Sequence, residues 1–241
     1  MVRIIAHRGA SHAYPENSLI AFRKAVASGA DSLEVDLRRS ADGVIYCFHD
    51  YHLRRLTGFS GYVQRTHSRQ IDRLRLLDSE PALRFDHLLE EFAGKVEIVP
   101  DIKSTGIEAD ILRLLSRAPK RAEIICSSFN SRILSRLKTL RHQTRTALIL
   151  GPLRNLKMKL DIGSYIVNRL TRLDCMAAHL SVRIARERVV NKLIAAGFDV
   201  AVWTVDDCDT AVKLANYGVG GIITNVPEEI VRIRSRLEVA H

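Results

Sequence analysis

Residues 199–224, DVAVWTVDDCDTAVKLANYGVGGIIT, read as one complete strand–helix–strand unit. The apolar run Asp199–Val205 has the length of a strand. Asp207 is placed to cap a helix that runs to Tyr217, Gly218 stops it, and Gly221–Thr224 begins a second apolar run. The same alternation extends almost from end to end. Further strands are expected at Val2–Ala6, Ser32–Leu37, Val44–Phe48, Val96–Ile102, Glu123–Ser127, Thr144–Leu150 and Asp174–Ala178. Helices are expected at Ser18–Ser28, Phe85–Phe92, Ile107–Arg117, Ser131–Leu140, Ile162–Leu170, Ala185–Ala196 and Pro227–Leu237, with Ser131 as another candidate cap. Val44–Phe48 follows Asp42-Gly43, a turn that sends the chain back as a hairpin, so it stands apart from the eight remaining strands. An α/β TIM (β/α)8 barrel is the architecture this pattern predicts, ahead of a doubly wound sheet. Tyr51–Leu83 matches no βα unit and carries Gly58, Gly61 and Pro81; it is expected to be an insertion over one end of the barrel. At 241 residues the chain, 1–241, is expected to be one domain.

Composition narrows the class. With 46% hydrophobic and 27% charged residues the chain is neither disordered nor membrane-embedded in character. No run approaches the roughly 18–20 apolar residues of a membrane span. Met1–Ala6 leads straight into a polar motif, without room for a signal peptide, and a cytoplasmic location is expected. Cys47, Cys126, Cys175 and Cys208 form no C-x-x-C pair, three of them lie in apolar runs, and buried free thiols are expected. The net charge of +10 invites a nucleic-acid reading. The basic residues are spread through Arg65–Arg75, Arg132–Arg145, Arg154–Lys159 and Arg232–Arg236, with acids interleaved and few aromatics for stacking. A solvated exterior is the first reading, and no nucleic-acid partner is expected. Such a surface also suits small anionic substrates or peripheral contact with an anionic membrane. No oligomeric state is legible.

In a parallel barrel, functional groups collect where strands end and βα loops begin. His7 and Arg8 follow the first strand, Glu34 and Asp36 share one face of the second, His49 ends the hairpin strand, and Asp101 and Lys103 close the next. Between Leu33, Val35 and Leu37, alternation sends both carboxylates inward. With Asp101 as a third oxygen donor, the set suits a hard divalent cation, magnesium or calcium, better than zinc. Glu34 can equally serve an ion pair with Lys103 or Arg38. His7 and His49 are candidates for a general acid and a general base, with either assignment open, and Arg8 and Lys103 for contacts to phosphate oxygens. His12, His52, His67, His87, His142, His179 and His241 are left as structural or exposed.

These residues sit in recognisable surroundings: Ala6-His7-Arg8-Gly9-Ala10, Pro15-Glu16-Asn17-Ser18 with Ala21-Phe22, Glu34-Val35-Asp36, Asp42-Gly43, and His49-Asp50 through Leu53, Arg55 and Thr57-Gly58. Asp101-Ile102-Lys103, Ser128-Phe129, Gly197 through Val202-Trp203-Thr204-Val205, and Gly218–Asn225 with Pro227 follow in order. The whole resembles the glycerophosphodiester phosphodiesterase family along nearly its full length. The resemblance implies a metal-dependent barrel that hydrolyses glycerophosphodiesters such as glycerophosphocholine and glycerophosphoethanolamine to glycerol 3-phosphate and an alcohol. It implies Glu34, Asp36 and Asp101 as metal ligands, His7 and His49 as the acid and base pair, Arg8 and Lys103 on the phosphate, and Glu16 and Trp203 in the pocket. It implies attack by the substrate's own glycerol 2-hydroxyl, through a cyclic phosphate that water opens.

Four departures accompany it. Asp101 stands where the family usually has Glu, so the third ligand is expected to reach the ion through water or from a shifted strand. Gly220 and Asn225 replace acids, are expected far from the proton transfers, and should tune pocket polarity at most. Ser18 stands for a usual Thr, and either caps a helix. Two alternatives are a lysophospholipase D-type activity on lysophospholipids, using Tyr51–Leu83 as a lipid-facing surface, and a binding protein without turnover. Retention of both histidines and all three acids opposes the latter.

Overall fold

The computed structural model describes residues 1–152 and 161–238. The basic run Arg154–Lys159 and His241 lie outside the described residues. The strands are β1 Arg3–His7, β2 Ser32–Arg39, β3 Ile45–Cys47, β4 Arg75–Leu76, β5 Glu80–Pro81, β6 Glu97–Ile102, β7 Cys126–Ser128, β8 Thr146–Leu150, β9 Ala177–Ser181, β10 Asp199–Trp203 and β11 Gly221–Thr224. Eight of them run parallel in the order β1-β2-β6-β7-β8-β9-β10-β11, and β1 pairs with both β2 and β11, which closes the barrel. β3 returns antiparallel on β2 after the Asp42-Gly43 turn, as a hairpin outside the ring.

Alternation along each strand makes two cores. Outward residues such as Leu33, Val35 and Leu37 pack with Phe22, Phe85 and Leu88 of the covering helices. Inward, Ile5, Val99, Ala201 and Ile223 fill the middle of the barrel, so it is a packed core rather than a pore. Charged side chains are thereby gathered at its two ends, while the buried His179, level with Ala201, lies between them. Residues 51–83 form short helices Arg54–Thr57 and Ser68–Ile71 and the β4–β5 ribbon, and Leu53, Leu56, Val63, Ile71 and Leu76 close a small core with Tyr46 and Phe48. No helix among the described residues is long and apolar enough to cross a membrane.

Four local expectations are corrected. The strand expected at Asp174–Ala178 lies at Ala177–Ser181, because the preceding helix runs to Leu173 and ends on Asp174 in the left-handed region (φ 51°). The alternation was hidden there, since His179 and Ser181 are polar yet buried. Cys175 consequently precedes the strand, buried all the same. The helix Ser131–Leu140 is capped by Asn130 rather than Ser131: the Asn130 side chain accepts from the Arg132 amide. The last helix divides at Ile233 into Pro227–Arg232 and Arg234–Glu238.

Candidate active site

β1 ends at His7 and turns at once through Arg8 (φ 60°) and Gly9 (φ 83°), both left-handed. A Cβ on Gly9 would stand 2.6 Å from the Ala21 backbone, so glycine alone lets this turn pack against the first helix. The Arg8 amide donates to the Glu34 carbonyl (3.0 Å) and to Glu34 Oε2 (3.1 Å), which pins the turn to β2.

Glu34 and Asp36 project inward from β2, and Asp101 stands opposite Asp36 in the β2–β6 register. One oxygen from each of the three lies within 4.8 Å of the others, a span that one cation with bonds of about 2.4 Å bridges. The shorter Asp101 therefore reaches the cluster directly, without a shifted strand. Lys103 Nζ pairs with Asp36 Oδ1 (2.9 Å) and with Asp101, and Arg8 Nε lies 2.9 Å from Asp36 Oδ2. Neither Lys103 nor Arg38 makes the ion pair with Glu34 that the sequence left open: Arg38 turns to the His49 carbonyl at 2.6 Å. Two cations facing three buried carboxylates leave an imbalance. Asp101 Oδ1 is buried without a hydrogen-bond partner, and such an atom is costly unless something fills the gap. A carboxylate-only donor set with an open oxygen fits a hard cation.

The electrostatics carry the same imbalance. Burial, then the charges of Asp36 and Asp101, push the Glu34 carboxyl well above the usual range. Burial also raises Asp101, with Asp36 adding to it against Lys103, to about 6. Burial would raise Asp36 too, but Lys103, Arg8 and His49 outweigh it and hold Asp36 below the ordinary range.

The two imidazoles are anchored differently. His7 Nδ1 meets Asn225 Oδ1 at 2.7 Å. The Asn225 amide nitrogen donates to Asp206 Oδ2 (2.7 Å), so its oxygen is the atom that faces His7, and His7 carries its proton on Nδ1. Nε2 keeps its lone pair and lies 3.9 Å from Glu34 Oε2. Burial, reinforced by the Arg8 charge, lowers His7 to about 4, so the ring is neutral near pH 7. His49 Nδ1 instead pairs with the carboxylate of Asp50 at 2.7 Å. Asp50 accepts in turn from Arg55 Nε (2.6 Å), and Arg55 also holds Glu16, at 2.7 Å to Oε1 and 3.0 Å to Oε2. Glu16 accepts from Arg8 Nη1 at 3.0 Å. It stands one step behind the cleft, joining the first loop to the insertion.

A cleft of about 180 Å³ gathers His7, Arg8, Glu34, His49, Asp101 and Lys103. Trp203 closes its far wall, donating from Nε1 to the His179 carbonyl (3.0 Å) and standing edge-on to Phe129. Asp36 lies beneath, fully buried.

Several contributors escaped the sequence reading. Asn225 was expected far from the proton transfers and instead touches His7 directly. Gly220, expected to tune the pocket, lies at the opposite end of the barrel, where a Cβ would meet Asp199 Oδ1 at 2.1 Å. Asn17, fully buried and left-handed at φ 57°, donates to Asp36 Oδ2 (2.9 Å) and accepts from the Asp36 amide (3.1 Å). His179, left as structural or exposed, is buried and lines the cleft.

The model of the glycerophosphoryl diester phosphodiesterase family matches residues 7–229. A glycerophosphodiester phosphodiesterase of Bacillus altitudinis is 26% identical over 254 residues, which cover 99% of this chain and 100% of that protein. A phosphodiesterase of Oleispira antarctica, solved with the product sn-glycerol-3-phosphate, superposes with a TM-score of 0.86 at 25% identity, covering 98% of this chain and 96% of its own. A glycerophosphodiester phosphodiesterase structure from Agrobacterium tumefaciens gives 0.83 at 26% identity, over 98% of this chain and 100% of that one.

Proposed function

The chain belongs to the glycerophosphoryl diester phosphodiesterase family, whose members are phosphoric diester hydrolases, and from that footing we propose a specific reaction and a role for each site residue. As one barrel domain spanning 1–241, it hydrolyses glycerophosphodiesters, glycerophosphocholine and glycerophosphoethanolamine among them, to glycerol 3-phosphate and an alcohol. The observation that carries this is the trio of acids, one oxygen of Asp101 unpartnered, with Glu34 and Asp101 in one cleft with two separately anchored imidazoles and Asp36 beneath it.

Glu34, Asp36 and Asp101 would hold magnesium or calcium, which when bound supplies charge stabilisation at the phosphate and lowers the pKa of a coordinated hydroxyl. Arg8 and Lys103 bind the non-bridging oxygens, where charge grows during displacement. His7, with Nδ1 committed to Asn225 and Nε2 free, takes the proton of the glycerol 2-hydroxyl as its oxygen attacks phosphorus. His49, whose Asp50 partner complements an imidazolium, gives its proton to the departing alcohol. The cyclic phosphate then opens with the roles exchanged: His49 takes a proton from water, and His7 returns one to the 2-oxygen. Trp203 and Phe129 shield the cleft from bulk water.

The test is release of glycerol 3-phosphate from glycerophosphocholine, with and without a chelator, by the wild type, His7→Ala and His49→Ala. Turnover that survives chelation removes the metal from the scheme. Turnover of lysophosphatidylcholine without turnover of the deacylated diester replaces the scheme by the lysophospholipase D-type reaction.

A further inference from the structure

Among the described residues, Arg38 is a buried site-adjacent cation whose hydrogen-bond partners carry no charge. It follows Asp36 by two residues on β2 and so leaves the barrel on the same face, one step further out. The residue is only 5% exposed. Its Nε donates to the His49 carbonyl (2.6 Å) and its Nη1 to Ser104 Oγ (3.3 Å), and its guanidinium lies 3.8 Å from the centre of the Tyr51 ring. The nearby carboxylates are engaged elsewhere: Asp36 by Lys103 and Arg8, Asp50 by His49 and Arg55. A buried guanidinium without a counter-charge is costly, and one at the wall of a cavity is suited to an anion that enters it.

The cavity is a groove of about 670 Å³ outside the cleft, lined by Arg38, Tyr51 and Asn130 and sharing His49, Asp101 and Lys103 with it. A diester whose phosphate sits at these shared residues extends one alcohol into each compartment. The cleft is small and walled by Ile149, Trp203 and Ile223, which suits the constant glycerol; the larger groove is left for the variable headgroup. Both of its aromatic rings already face a cation of the protein, Tyr51 that of Arg38 and Phe129 that of Lys103 at 5.4 Å. A headgroup ammonium entering the groove therefore meets rings that already face a cation and, in Asp50, a carboxylate already shared by His49 and Arg55. Asn130, which caps the ten-residue helix Ser131–Leu140, brings the positive end of that helix's dipole to the same wall.

We propose that Arg38 is a specificity-determining residue that binds an oxyanion on the headgroup, so that this chain prefers glycerophosphodiesters carrying a carboxylate or a second phosphate. This rests on the diesterase reading above and ranks its substrates. Arg–carboxylate and Arg–phosphate pairs share the same two-pronged chemistry, and the assay separates the two sources. The experiment measures kcat/KM of the wild type and Arg38→Gln on four diesters: glycerophosphoserine, glycerophosphoglycerol 3-phosphate, glycerophosphoglycerol and glycerophosphoethanolamine. The wild type should favour one or both anionic headgroups, and Arg38→Gln should lower that preference about tenfold, the worth of one charge-assisted hydrogen bond. The better of serine and phosphomonoester identifies the oxyanion. An equal loss on all four substrates overturns the proposal, because Arg38 then only steadies the His49 carbonyl; an unchanged preference in Arg38→Gln overturns it as well. Failure of the wild type on all four diesters overturns the diesterase reading itself, a distinguishable outcome.

Discussion

The two ends of the barrel bury the same kinds of residue and treat them differently. At the end where the strands begin, Arg3 meets Glu97 at 3.0 Å and also pairs with Asp199, Ser32 Oγ donates to Glu97 (2.9 Å), and Arg3 Nε donates to the Gly220 carbonyl (3.3 Å). No buried side-chain atom there lacks a partner among the described residues. At the end where the strands finish, Glu34, Asp36 and Asp101 face Arg8 and Lys103, and Asp101 Oδ1 accepts nothing. A charged cluster that closes on itself holds strands together. One that leaves a buried acceptor open has room for a further partner.

The largest expected effect separates the ends by activity. His7→Ala and His49→Ala should each lower glycerol 3-phosphate release about 10³-fold, within the range for general acid–base groups, while urea unfolding moves little. Arg3→Met should do the reverse. It leaves the buried Glu97 without its cation, costing about 3 kcal/mol in urea unfolding, with activity changed only a few-fold. A large activity loss in Arg3→Met at intact stability would break the distinction.

Cation binding sharpens it next. Magnesium or calcium at a hundred times its Kd should stabilise the wild type by about 2.7 kcal/mol in thermal unfolding. Asp101→Asn should lose most of that gain, and Glu97→Gln at the opposite end should keep it. Equal gains in all three proteins would mean that the acids at the strand ends are not the ligands.

His179 lies between the ends, lining the cleft while sensing Asp199 and Arg3. Burial holds it neutral, at about 4 against an ordinary 6.5. The unfolded chain therefore binds a proton more readily than the folded one as pH falls below 6.5, and folding loses stability progressively until about pH 4. At pH 5 the loss is about 2 kcal/mol, at 1.36 kcal/mol per pH unit. His7 is lowered to about 4 as well and titrates in the same window. His179→Gln should thus remove its own share of the acid destabilisation, about 2 kcal/mol at pH 5 in urea titrations, while Glu34 and Asp101, whose carboxyls are raised in the folded chain, act in the opposite direction in both proteins.

The barrel and the five central side chains, His7, His49, Glu34, Asp36 and Asp101, were legible because period-two alternation and strand ends place side chains without knowledge of contacts. What escaped was set by distant pairing. Asn225 acts on a histidine 218 positions away, and Asp199 fills the space beside Gly220, relations no local pattern announces. His179 was hidden by an apolar run, Cys175–Ala178, that put its strand three residues too early. Arg55 had a motif but no role, because its work is to hold Asp50 and Glu16, residues from two different loops.

Asn225 supplies the finest test, because its neutral amide anchors His7 where His49 has a carboxylate. Replacing it by leucine removes the acceptor for Nδ1–H, frees the ring to rotate or change tautomer, and should lower kcat about tenfold with KM little changed, as expected of a positioning residue. Asn225→Asp asks the opposite question. A carboxylate beside His7 favours the imidazolium and raises its pKa from about 4. A base must be unprotonated to act, so the acidic limb of kcat/KM should move to higher pH in Asn225→Asp. The corresponding change at the hairpin, Asp50→Asn, takes the anionic partner from His49 Nδ1 and should lower kcat while the acidic limb stays where the wild type has it. If Asp50→Asn moves the acidic limb as Asn225→Asp does, the assignment of His7 as base is wrong, and the two loops do not divide the proton transfers between them.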